Sequence, residues 1–143
     1  LEDGFPLISY RSIAKNLELI ADNAEDIAEI ALEAEGHSLN VDSATMERIR
    51  DLTEKVDNLS ELAVRAAVER DHNAAIDVRT QFREIDHLED DLLAGLEEMP
   101  NSELLAVREV LVALQETAQS AVRNAEISTN LALNEESTHT TIE

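Results

Sequence analysis

Glycine stands at only three positions, Gly4, Gly36 and Gly95, and proline at two, Pro6 and Pro100. Between these breakers run long stretches of Ala, Leu, Glu and Arg, residues that lose little on entering a helix. No stretch alternates apolar and polar residues with period two, so strands are not expected. Apolar residues recur instead by threes and fours. A first helix is predicted over Ser9–Glu35, with Ile13, Leu17, Ile20, Ala24, Ile27 and Ala31 as its seam, ended by Gly36. After a polar link to Val41, Asp42 or Ser43 caps a second helix whose seam is Ile49, Leu52, Val56, Leu59, Ala63 and Ala66. It stops near Arg70, and Asp71-His72-Asn73 reads as a tight turn. Val78, Phe82, Ile85, Leu92 and Leu96 mark a third helix, interrupted by Gly95, Met99 and Pro100. Asn101 or Ser102 caps a fourth, with Leu104, Val107, Leu111, Leu114, Ala118, Ala121 and Ala125 as its seam. From Asn134 the chain turns polar and is expected to fray. Connections this short require antiparallel neighbours, so the predicted fold is all-α, an antiparallel bundle of four helices.

The chain has 143 residues, enough for one domain with a real core. It carries 32 acidic residues against 11 basic ones, a formal net charge of −21. Such a surface repels phosphate backbones, which excludes direct nucleic-acid contact by this segment, and it argues against docking on an anionic membrane. Cysteine is absent, and with it any disulfide, thiolate metal site or thiol nucleophile. No apolar run reaches the length of a membrane span and no signal peptide is recognisable, so a soluble, cytoplasmic protein is expected. The chain opens at Leu1 in mid-pattern, which reads as a segment of something longer. A small domain ordinarily carries a net charge of magnitude ~2–8. At −21 self-repulsion opposes compaction, and at about 1 M salt the Debye length of ~3 Å removes most of it. The expectation is a halophilic protein. An acidic disordered chain is the alternative, opposed by 43% apolar residues and by the periodicity.

The first and fourth helices match at a constant offset of 97. Identical pairs are Arg11/Arg108, Leu17/Leu114, Ala21/Ala118, Ala24/Ala121, Ala28/Ala125, Glu29/Glu126 and Ile30/Ile127. The order suggests the last helix of one three-helix unit (1–36), a complete second unit (42–133) and a polar tail (134–143). The segment Leu17-Glu18-Leu19-Ile20-Ala21-Asp22-Asn23-Ala24-Glu25-Asp26-Ile27-Ala28-Glu29 resembles the third-helix motif of the PhoU family of phosphate-uptake regulators. Glu61-Leu62-Ala63 through Glu69-Arg70-Asp71, and Arg83 through Glu89, resemble that family's preceding helices more weakly.

The resemblance implies a duplicated three-helix bundle in which E-x-x-x-D pairs on two helices hold a metal cluster. Residues four apart share a helix face, so two carboxylates can converge on one hard cation. Glu18 and Asp22 match this motif; the matching partner helix would precede Leu1. In the second unit Gln115 and Gln119 stand where carboxylates are expected. There Glu89 fits the family's glutamate as a remnant, with Leu93 in place of its aspartate. Amides ligate poorly and leucine not at all, so the second unit is expected to hold no metal, while a divalent or iron ion belongs to the parent protein. Among 32 acids, pairs such as Asp22/Asp26 and Glu25/Glu29 share the same spacing, and a solvated face is the competing reading.

Glu69…His72 and Glu84…His87 raise a carboxylate di-iron bundle as a rival. The two histidines stand 15 residues apart, ~20 Å along a helix, too far for one dinuclear centre. Lone surface histidines are expected there, with His37 in a loop and His139 in the tail. Arg11 and Arg108 are read as tethers to loops or acids rather than as phosphate ligands. No nucleophile–histidine–acid set or glycine-rich phosphate loop occurs, so catalysis is not expected. The family resemblance implies a non-enzymatic regulator that contacts a phosphate ABC transporter or a phosphate-sensing kinase. In salt-loving archaea such a domain can follow an AbrB-like DNA-binding domain. The alternatives are a regulatory module of an ion channel or transporter, and a metal-storing or metal-oxidising bundle. The Ile13–Ala31 seam is expected either to close on its own chain or to pair with a second copy, the homodimer being favoured. Dilution from multimolar to ~0.1 M salt is expected to reduce helicity. Circular dichroism across that range checks it, and constant helicity would remove the halophilic reading.

Overall fold

The computed structural model describes residues 4–140, and within that span the side chains of all but Phe5 and residues 135–140. Four helices fill it, with no strand among the described residues: α1 (Gly4–Gly36), α2 (Ser43–Glu69), α3 (His72–Ala94) and α4 (Asn101–Thr140). α1 begins five residues before the predicted Ser9. Pro6 is accommodated in its first turn, where the missing N–H breaks no helical bond. The reversal after α1 does not use Gly36 in a left-handed conformation. Ser38 takes that conformation (φ 53°), while the Leu39 N–H reaches the Ala34 carbonyl at 3.0 Å.

Asp42 caps α2: its Oδ1 accepts from the Thr45 N–H at 2.9 Å and its Oδ2 from the Thr45 hydroxyl at 2.6 Å. These two bonds hold its carboxyl below the ordinary carboxylate range. α2 ends at Arg70, also left-handed (φ 55°). Asp71 then caps α3, accepting from the Asn73 and Ala74 N–H groups at 2.9 and 3.2 Å. The predicted Asp71-His72-Asn73 turn is therefore shorter than expected, because a cap this effective lets His72 and Asn73 enter α3 at once. α4 starts directly after Pro100, whose carbonyl accepts from the Leu104 N–H at 2.9 Å, so neither Asn101 nor Ser102 is the cap. α4 also continues past Asn134, where fraying was expected, to Thr140; the last three residues of the predicted tail lie outside the described residues.

α2, α3 and α4 pack against one another, and α1 packs along α4. The shared core comes from Leu52, Val56, Leu59, Val78, Ile85, Leu92, Leu111 and Leu114, the seams read from the sequence. Leu96 is buried too, although it lies beyond the end of α3. The molecule is thus three helices plus one, and α4 is the helix that touches all the others. A hydrogen bond from Arg70 Nη2 to the Tyr10 hydroxyl (2.9 Å) ties α1 to the end of α2.

The α1 seam differs from the predicted one. Leu17, Ala24 and Ala31 are exposed, and Ile13, Ile20 and Ile27 are only half-buried. The residues α1 buries are Ser9, Asn16 and Asn23, spaced by seven. Asn16 Nδ2 donates to Asn124 Oδ1 at 2.8 Å, and Asn23 Nδ2 donates to the Thr117 hydroxyl at 3.2 Å. These pairs fix α1 antiparallel to α4. They also show that α4 has a second stripe, Ala113, Thr117, Ser120 and Asn124, beside its apolar one. Small and amide side chains won the contact because α4 had already committed its leucines to α2 and α3.

Asn124 is fully buried, and its Nδ2 has no partner. The pair is therefore only half satisfied, and its worth lies in specifying the contact more than in strengthening it. Asn16→Ala is expected to cost about 1–3 kcal/mol, since it strands the Asn124 carbonyl as well. Replacing both, as Asn16→Val with Asn124→Leu, is expected to recover most of that loss. Denaturant titration of the single and double variants checks both.

Candidate functional site

Glu18 and Asp22, the two carboxylates of the motif, lie one turn apart on α1 and both are exposed. Glu89 lies on α3, which packs against α2 and α4 and not against α1. The structure therefore does not bring Glu89 to the Glu18/Asp22 pair. Gln115 and Gln119 are half-buried on α4, and Leu93 packs against the core. Among the described residues no three His, Asp or Glu side chains are grouped to hold a metal ion. Two exposed carboxylates one turn apart fall short of the oxygen set a hard cation takes. Among the described residues, then, no closed site is made for the metal the resemblance implies.

Glu89 is better described as an acid in an apolar seam. It occupies the position between Ile85 and Leu92 on the core-facing side of α3 and is 8% exposed. Burial pushes its carboxyl above the ordinary range, and the neighbouring charges of Asp86 and then Asp90 push the same way. A raised value in the folded state means that folding favours the neutral acid. The ionised form is therefore a penalty at neutral pH, relieved as pH falls through the folded value towards the unfolded value near 4.5. Solvent still reaches part of the side chain and screens the penalty, so Glu89→Gln is expected to stabilise by no more than about 1 kcal/mol at pH 7. The gain should vanish near pH 4, and thermal melts at the two pH values check it.

The histidines are scattered as expected. His72 starts α3 and His87 lies 15 residues, about four turns, later on the same helix, both exposed. His37 follows α1, with Nδ1 donating to the Glu33 carbonyl at 2.8 Å. The side chain of His139 lies outside the described ones. Surface grooves run between the helices. The one between α2 and α3, about 710 Å³, mixes Lys55 and Arg65 with Glu61 and Glu84 and holds no nucleophile–base pair. The one between α1 and α2, about 470 Å³, is more apolar, lined by Leu17, Ile20, Val64 and Val68. The third, about 420 Å³ along α1 and α4, places Arg108 among Asp26, Glu29, Glu33, Glu109 and Glu116. Among the described residues Arg108 forms no ion pair with these acids, so the placement alone does not make it a tether. The buried amides Asn16, Asn23 and Asn124 were missed in the sequence, although the seven-residue spacing of Ser9, Asn16 and Asn23 carried the signal.

The chain matches no family model, no curated protein and no solved structure. Among the described residues no helix is long and apolar enough to cross a membrane.

Proposed function

We propose that this chain is a non-enzymatic, PhoU-like regulatory module that works by protein–protein contact in phosphate uptake and phosphate-dependent signalling. The observation that carries the reading is the relation between α1 and α4. The residues by which α1 meets α4 (Asn16, Ile20, Asn23, Ile27) and those by which α4 meets α1 (Ala113, Thr117, Ser120, Asn124) stand at the offset of 97. The other stripe of α4 (Val107, Leu111, Leu114, Ala118, Ala121, Ala125) is buried on α2 and α3. The stripe 97 residues earlier on α1 (Tyr10, Ala14, Leu17, Ala21, Ala24, Ala28) is exposed. A duplicated unit gives both helices the same two faces, which is what the resemblance implies for this chain.

That exposed stripe borders the apolar groove between α1 and α2, and the groove is where this reading seats a protein partner. Glu18 and Asp22 contribute a ligand pair only in a longer parent that brings further carboxylates to them. The surplus of acids fits a cytoplasm of high salt. Its test is direct binding, in multimolar salt, to the ATP-hydrolysing subunit of the phosphate transporter and to the sensor kinase of the same genome. Micromolar binding to one of them is expected, and Leu17→Asp with Val68→Asp should weaken it roughly tenfold or more, as loss of a central apolar contact does. Binding to neither sinks the reading, and binding to a channel's cytoplasmic domain instead would select the ion-channel alternative.

A further inference from the structure

The side of the α1–α4 pair turned away from α2 is open, and its charge is divided along its length. Asn16 beside Asn124 and Asn23 beside Thr117 place the N-terminal half of α1 next to the C-terminal half of α4. On this side the first of these halves presents Lys15, and the second presents Arg123; both are exposed. No acid of the chain forms an ion pair with either among the described residues: Arg123 meets the neutral Gln119 amide at 3.5 Å, and nearby Glu126 is turned to Arg79 at 3.4 Å. The opposite end presents Asp26, Glu33, Glu109 and Glu116, with Arg108 as the one cation among them. Leu19, near the middle of the face, is 38% exposed, and Val112, within the acidic end, is 54% exposed.

We infer that this face is an interface between two copies of the chain, stacked so that the basic end of each lies over the acidic end of the other. The charge pattern selects the symmetry. A two-fold axis lying in the face and parallel to the helices would set Lys15 and Arg123 of the two copies against each other. An in-plane axis perpendicular to the helices, passing midway along α1 and α4, reverses one copy end for end. Lys15 then comes over the acidic turn of α1 that carries Asp26, and Arg123 over the turn of α4 that carries Glu116. Each contact occurs twice. Val112 comes over the turn of α4 that carries the half-buried Ile127, which adds apolar area among the charged contacts.

The face is large enough. About 25 residues of each helix span roughly 38 Å, and two adjacent helices are roughly 20 Å wide, giving ~750 Å² per copy. A stable pair typically buries ~800 Å² on each partner. This surface is separate from the groove between α1 and α2, and the inference stands whether or not that groove binds a regulator's target.

The experiment uses two charge-reversal variants: Lys15→Glu with Arg123→Glu, which sets acid against acid at these contacts, and Asp26→Lys with Glu116→Lys, which sets cation against cation there. Sedimentation equilibrium in about 1 M salt, with circular dichroism confirming the helices, reads the assembly. The unaltered chain is expected to dimerise. Each variant alone should associate roughly 30-fold more weakly or not at all, as expected when charge pairs become like-charge contacts. An equimolar mixture of the two should dimerise again, because each of these contacts then joins opposite charges. Leu17→Asp, in the other groove, should leave the dimer unchanged. A monomeric unaltered chain at ~1 mM, variants that dimerise alone, a mixture that stays monomeric, or loss of the dimer with Leu17→Asp would each overturn the inference.

Discussion

α4 has to satisfy two neighbours of different character at once. One stripe, from Val107 through Ala125, closes an apolar core with α2 and α3. The adjoining stripe, Ala113, Thr117, Ser120 and Asn124, receives α1. A helix that spends most of its large aliphatic residues on one side has mainly small and polar ones for the other. The second contact is therefore close, directional and built on amides, where the first is broad and non-directional. The three-plus-one arrangement, the exposure of the apolar residues of α1 and the open face on its far side all follow from this division.

The sequence was clear where burial decided the pattern. The seams of α2 and of the core-facing side of α4 were legible because one dominant apolar face with 3–4 spacing admits one phase. α1 was misread for a definite reason. It carries an aliphatic stripe (Leu17, Ala24, Ala31) beside a heptad of Ser9, Asn16 and Asn23, and a hydrophobic count always prefers the former. Which stripe is buried depended on what α4 offered, a tertiary fact with no local signature. Helix ends were shifted by local chemistry that composition underrates, namely Pro6 accommodated within a first turn and Asp71 capping so well that the turn behind it shrank.

The candidate ligands illustrate the opposite limit. The spacing of Glu18 and Asp22 correctly places them on one face of α1, but a spacing holds no information about a third ligand on another helix. Glu89 matched a position in a motif, and its surroundings are set instead by Ile85 and Leu92 above and below it in the same seam. Its raised proton affinity comes from burial and like charges, not from a cation partner. The same observation separates a family's pattern from a working site: the pattern is one-dimensional, whereas a site needs convergence.

The amide contacts between α1 and α4 work as teeth at a fixed pitch. Donors Asn16 and Asn23 are seven residues apart, as are their acceptors Thr117 and Asn124. Sliding α1 by one heptad would still engage a single tooth, Asn23 on Asn124. It would also set Asn16 against Leu131 and Ile30 against Thr117, leaving polar groups without water or partner. Each such group costs about 1–3 kcal/mol, so the shifted alignment is several kcal/mol worse although its apolar packing hardly changes. Two matched amides thereby lock the position of a helix that its weak apolar grip would otherwise leave free to slide.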